Sequence, residues 1–166
     1  MRKQNGFSLI ELLIVVAIIL IIAGIAIPSF LHSRMAANEA SAVGSLHNIE
    51  SAEVTYAETY PTLGFAPDLN TLGPGSTAGA TASSANAMLL DSVLGCSAGV
   101  GTASCQKSGY NFSITAGTGT PINTYQMNAN PVALGQTGQR YFYCDLTGVI
   151  RYNTTTIATV ADQPLQ

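Results

Sequence analysis

From Phe7 to Ile27 the sequence reads FSLIELLIVVAIILIIAGIAI, twenty-one residues that carry a single charge, Glu11. As a helix rising 1.5 Å per residue, such a run spans about 30 Å, the hydrocarbon thickness of a bilayer. A helix that is apolar on every side has no polar face to turn to water, so a membrane helix is predicted. Placing a charge at membrane depth costs about 2.5–3.5 kcal/mol on insertion scales. Glu11 therefore needs a reason.

Three readings of this segment compete. A secretory signal peptide has an apolar core of about 7–15 residues followed by a small-residue cut. This core is longer, although AGIA (23–26) offers small residues. A plain anchor explains the length, and Arg2 and Lys3 would keep the amino terminus cytoplasmic, but it leaves Glu11 unexplained. The third reading places a cut before the apolar run, after Gly6, and makes Phe7 a new amino terminus. The new amine and the Glu11 carboxylate, both in hydrocarbon, would then each need a partner. In one chain they lie four residues apart. Between chains, Glu11 of one meets the Phe7 amine of another, and the low dielectric favours one axial register. The plain alternative is an acid that snorkels to the membrane edge, paired with nothing in particular.

These residues carry a resemblance. KQNGFSLIELLIVVAIILIIAGIAIPSF closely resembles the start of type IV pilins and of the pseudopilins of type II secretion, over about the first 35 residues. The resemblance implies a leader, residues 1–6, removed between Gly6 and Phe7 by a membrane prepilin peptidase that then N-methylates Phe7. It further implies delivery through an inner-membrane assembly platform, with Glu11 as the assembly residue. The same likeness implies that the stretch around Gly24 and Pro28 extends when subunits pack into a fibre. On residue chemistry alone, Pro28 removes a backbone donor and is expected to kink or loosen the helix, with Gly24 adding flexibility, or it simply marks the membrane edge.

Beyond Pro28 the pattern stays helical to Pro61. Val43, Leu46, Ile49, Tyr56 and Tyr60 form one apolar stripe, with Glu39, Glu50 and Glu58 as polar positions. A helix from Phe7 to about Thr59 would measure roughly 80 Å. Leu63, Phe65, Leu69 and Leu72 are expected to anchor a loop over 60–73. GPGSTAGATASSAN (73–86) reads as exposed low-complexity chain. AMLLDSVLG (87–95) reads as a short helix capped by Ser84 or Asn86 and stopped by Gly95. Alternation then predicts strands at Tyr110–Ala116, Tyr125–Ala129, 140–145 and 149–153, the last two joined by the turn DLTG. The expected fold class is α+β: a long amino-terminal helix whose second half carries a four-stranded antiparallel head. The divisions are leader 1–6, membrane and assembly helix 7–28, amphipathic continuation 29–60, loop region with a short helix 61–108, and sheet with a polar, dangling tail 109–166. The order KSGYNF…YFYCDLTGVIRYN also resembles the heads of type IVa-like pilins, more loosely.

The cysteines are Cys96, Cys105 and Cys144. A head facing the periplasm or the outside permits disulfides. Cys96 and Cys105 are close in sequence across flexible glycines and are the favoured pair, with Cys144 a buried thiol in a strand. Spacing alone leaves pairing of Cys144 with either open. The disulfide that clasps a carboxy-terminal loop in pilins is not evident, because no cysteine follows Cys144. His32 and His47 stand fifteen apart with no second ligand at metal spacing and read as solvated or interfacial. NFS (111–113) and NTT (153–155) match the glycosylation sequon, a short pattern of little weight in bacteria.

Charged residues make up 9% of the chain, net charge is −3, and no basic cluster follows Lys3, which argues against nucleic acid as a main partner. No phosphate loop, CxxC, HExxH or supported catalytic triad is present. No enzyme activity, cofactor or metal is expected. The functional expectation is a pilin that is stored in the inner membrane with its head periplasmic. It then polymerises with other pilin subunits into an extracellular fibre for adhesion, motility or DNA uptake. A type II secretion pseudopilin is the alternative. The major pseudopilin typically carries Trp and a late calcium-binding carboxylate cluster, whereas here Trp is absent and Asp145 is expected to be the only late strand-end acid. A rival from another class is a periplasmic binding module on an uncleaved anchor.

Overall fold

The computed structural model describes residues 7–75, 81–96 and 105–165. The chain divides into two compact units, Met1–Arg34 and Met35–Gln166. One helix, α1 (Leu9–Thr59), contributes to both and continues through Pro28.

In the first unit, the apolar side chains of α1 from Leu9 to Leu31 lie exposed, Leu9 by 81% and Ile25 by 74%. The most apolar stretch of this helix is long enough to cross a membrane, and none of it is buried within the chain.

The second unit is built on the rest of α1. Its buried face runs Met35, Glu39, Ala42, Leu46, Ile49, Glu53, Tyr56, with Ser45 and Ala52 beside it. These steps of three and four keep one stripe over the sheet. The expected stripe holds at Leu46, Ile49 and Tyr56, while Val43 and Tyr60 pack at its edge, half-buried. Glu39, expected on the polar side, is buried instead. Its charge is matched by a partner more than a hundred residues away, which helical periodicity does not register.

The sheet is a six-stranded antiparallel meander in chain order: β1 (Cys105–Lys107), β2 (Tyr110–Ala116), β3 (Tyr125–Pro131), β4 (Tyr141–Asp145), β5 (Arg151–Asn153) and β6 (Gln163–Pro164). Alternation in β2 and β3 places Tyr110, Phe112 and Ile114 opposite Pro131, Ala129 and Met127. Met127 and Ala129 in turn face Cys144 and Phe142 of β4. These side chains and the α1 stripe form one core. At 145–148 the chain turns on Gly148 (φ +69°), whose N–H donates to the Asp145 carbonyl. β1 and β6, not expected from sequence, are too short to show alternation.

Two further expectations fail. Residues 87–95 form no helix. The N–H groups of Ala87, Met88, Leu89 and Leu90 are taken by carbonyls of Thr71, Gly73 and Leu72, and Met88 has φ +57°. The short helix is α2 (Leu69–Leu72), inside the expected loop, with the Asp68 carboxylate accepting from the Thr71 N–H as its cap. Nor does the tail dangle. Ala158 is buried, β6 pairs with β5, and the Leu165 N–H donates to Ile150. Five of the residues in 73–86, namely 76–80, lie outside the described ones.

Candidate assembly segment

Gly6 lies outside the described residues, so the expected cut has no geometry here; Phe7 is described and 87% exposed. The helix begins after Ser8. The Glu11 carboxylate accepts from the Ser8 N–H at 2.9 Å, which is half of a capping box. One orphan donor of the first turn is thereby satisfied by the only acid in the run. Within its own chain Glu11 is exposed and has no cationic partner among the described residues. Gly24 has open space where a side chain would point, so nothing among the described residues requires a glycine there.

In the head, Cys96 and Cys105 form a disulfide with Cα atoms 5.4 Å apart. In the chain-entropy account, closing that short loop contributes about 2.5 kcal/mol. The Lys107 ammonium donates to Asp91 at 2.9 Å and ties the same two segments again. The hydrogen bond from the Leu94 N–H, then that from Lys107, holds the Asp91 carboxyl below its usual range. Cys144 is a buried free thiol, pushed up to about 12 chiefly by burial. The register aligns Cys105 with Phe112, then Ala129, then Phe142, so β1 and β4 stand three strand spacings apart, roughly 14 Å. That separation keeps Cys144 from the disulfide.

Four polar residues that sequence reasoning missed hold the head together. Glu39 accepts from the Arg140 guanidinium through Nε and Nη2, both at 2.8 Å, and from the Gln139 N–H at 2.7 Å. The Arg140 guanidinium lies 5.5 Å from the ring centres of both Phe142 and Tyr152. Glu53 is fully buried. Asp162, a second late strand-end acid beside Asp145, accepts from Asn153 and from the Thr159 N–H, each at 2.7 Å, and closes the carboxy-terminal loop without a disulfide. The Asn153 amide of the NTT sequon donates one of its hydrogens in that bond. His32 is exposed; His47 sits 3.3 Å from Glu50. Among the described residues no three His, Cys, Asp or Glu converge as a metal site.

Residues 1–27 match the family model for the prokaryotic N-terminal methylation motif. The chain is 43% identical over 56 residues to the type IV wide pilus major component PilA4 of Thermus thermophilus, covering 34% of this chain and 43% of that protein. It is 37% identical over 73 residues to the type IV major pilin protein PilA of Myxococcus xanthus, covering 40% and 33%. Against the type II secretion system core protein G of Vibrio cholerae, identity is 37% over 65 residues, covering 37% and 44%. The chain thus spans less than half the length of each of these relatives. No solved structure matches it. An exposed apolar helix thus opens on a prokaryotic N-terminal methylation motif, and over part of its length the chain is similar to subunits of both type IV pili and type II secretion.

Proposed function

We propose that the chain is a structural pilin. Prepilin peptidase cuts it between Gly6 and Phe7 and methylates Phe7. The product waits in the inner membrane with its head in the periplasm. The assembly platform then polymerises it through residues 7 to about 55 into an extracellular fibre for adhesion, motility or DNA uptake. The observation that carries this reading is the exposed apolar helix with one acid in its first turn. A helix apolar all round needs either lipid or its own kind, and the carboxylate supplies the register for the second. Gly24 and Pro28 are the positions where the helix loosens on packing. A pseudopilin is the second reading, favoured by the similarity to the Vibrio protein; the absence of Trp favours the pilin. Mass spectrometry of the membrane-extracted protein and of fibres sheared from cells tests both. A mature chain beginning at methylated Phe7, recovered in surface fibres, is the expected result. An intact Met1 start refutes the processing, and mature chains without surface fibres shift the reading to the pseudopilin.

A further inference from the structure

Glu53 is the one charged side chain among the largest fully buried ones. Its Oε2 accepts the Ala66 N–H at 2.8 Å; its Oε1 has no hydrogen-bond partner among the described residues. A carboxylate has about four lone-pair sites to satisfy, and here one is used. The interacting ionisable groups are Tyr56 on α1, Asp68 ahead of α2, and Tyr125 on β3 with Glu50 near it; none is a cation.

The bond from Ala66 fixes more than one residue. Gly64 and Ile122 form a short bridge, with the Phe65 N–H donating to the Ile122 carbonyl at 2.9 Å and the Ile122 N–H to Leu63 at 2.8 Å. The Phe65 ring meets Tyr125 edge-on, 4.8 Å between centres. Glu53 therefore clamps to α1 a segment that is itself joined to the β2–β3 connection.

We propose that Glu53 is a proton-operated latch: protonated, its carboxyl holds the 60–66 segment and its Ile122 partner on α1, and loss of the proton leaves a buried, under-bonded anion that loosens them. A neutral carboxyl accepts the Ala66 N–H at little desolvation cost, whereas the anion is shut off from bulk solvent and faces no cation among the described residues. Burial raises the carboxyl from 4.5 to about 7; the Ala66 N–H opposes the rise and Asp68 adds to it. The folded value is above the unfolded one, so the latch is at full strength below about 4.5 and weakens as pH climbs through 7. Type IV pilin or pseudopilin, the latch lies wholly within the head and does not rest on either assignment.

The test is amide hydrogen exchange on the full chain in detergent micelles at pH 5 and pH 8, corrected for intrinsic exchange. In the wild type the opening of peptides covering 60–66 and 120–125 is expected to rise on the order of a hundredfold from pH 5 to pH 8. In Glu53→Gln it is expected to change less than about threefold, since Gln has no proton to lose. A wild type whose opening is the same at both pH values, or a Gln variant that follows the wild type, overturns the proposal. If Glu53→Gln does not fold, the carbon-13 titration of the wild-type Glu53 carboxyl decides. A midpoint near 7 upholds the latch, and one in the ordinary carboxylate range refutes it.

Discussion

Removing Arg140 should cost more than its exposed position suggests. Its side chain is 35% exposed, but the Glu39 side chain it neutralises is only 10% exposed. Cutting one partner from a buried pair costs about 3–5 kcal/mol, because the other charge stays behind unpaired. Water reaches the Arg140 side, and Glu39 keeps the Gln139 N–H, so the lower end applies: about 3 kcal/mol for Arg140→Met. Part of that, roughly 1 kcal/mol, is the guanidinium stacked on Phe142 and Tyr152. Glu39→Leu leaves an arginine that turns to water and costs less, about 2 kcal/mol. The double variant buries two apolar side chains with no charge left over and should fall well short of the sum, by about 2 kcal/mol. Urea unfolding of a fragment starting at Ser29 measures this, since no residue of the core cluster precedes Ala42. Costs that simply add, within about 0.5 kcal/mol, would mean that the two side chains stabilise the head independently and that the ion pair is incidental.

Glu11→Ala should leave insertion and head folding intact and abolish fibres, read by electron microscopy of sheared fractions beside a membrane blot; abundant fibres of the variant alone would make the acid a passenger. Gly138→Ala drives a methyl group into the Tyr110 ring, 2.6 Å from Cζ, and should cost about 2 kcal/mol in the same urea assay. Cys144 should resist alkylation at pH 8 in the folded head and react in urea; rapid labelling of the native protein would contradict its burial.

The parts of this molecule that were readable in sequence are those in which one residue type repeats at one period. The apolar run, the α1 stripe at Leu46, Ile49 and Tyr56, and the alternation of β2 and β3 are of this kind. Glu11 stands out in the sequence because it breaks such a pattern. Glu39 and Glu53 do not, because a buried carboxylate looks like a surface one until its partner is known, and Arg140 and Ala66 are distant or backbone. The 87–95 segment misled for a related reason. Its composition suits a helix, yet its N–H groups are claimed by the end of α2. The carboxy-terminal loop lacked the cysteine that would have announced its closure, and Asp162 performs that closure with hydrogen bonds alone.

The meander has a consequence for how the head comes to be. Every strand pairs with its neighbour in sequence, across connections 108–109, 117–124, 132–140, 146–150 and 154–162. Each hairpin closes a short loop, so the sheet can zip together in local steps, each paying little chain entropy before the next. The contact that joins β4 to the helix is different: Glu39 and Arg140 are 101 residues apart. A chain synthesised amino end first has its helix ready long before β4 emerges. Local pairing of the sheet is therefore expected to precede its capture by α1, a finished sheet docking on a waiting helix.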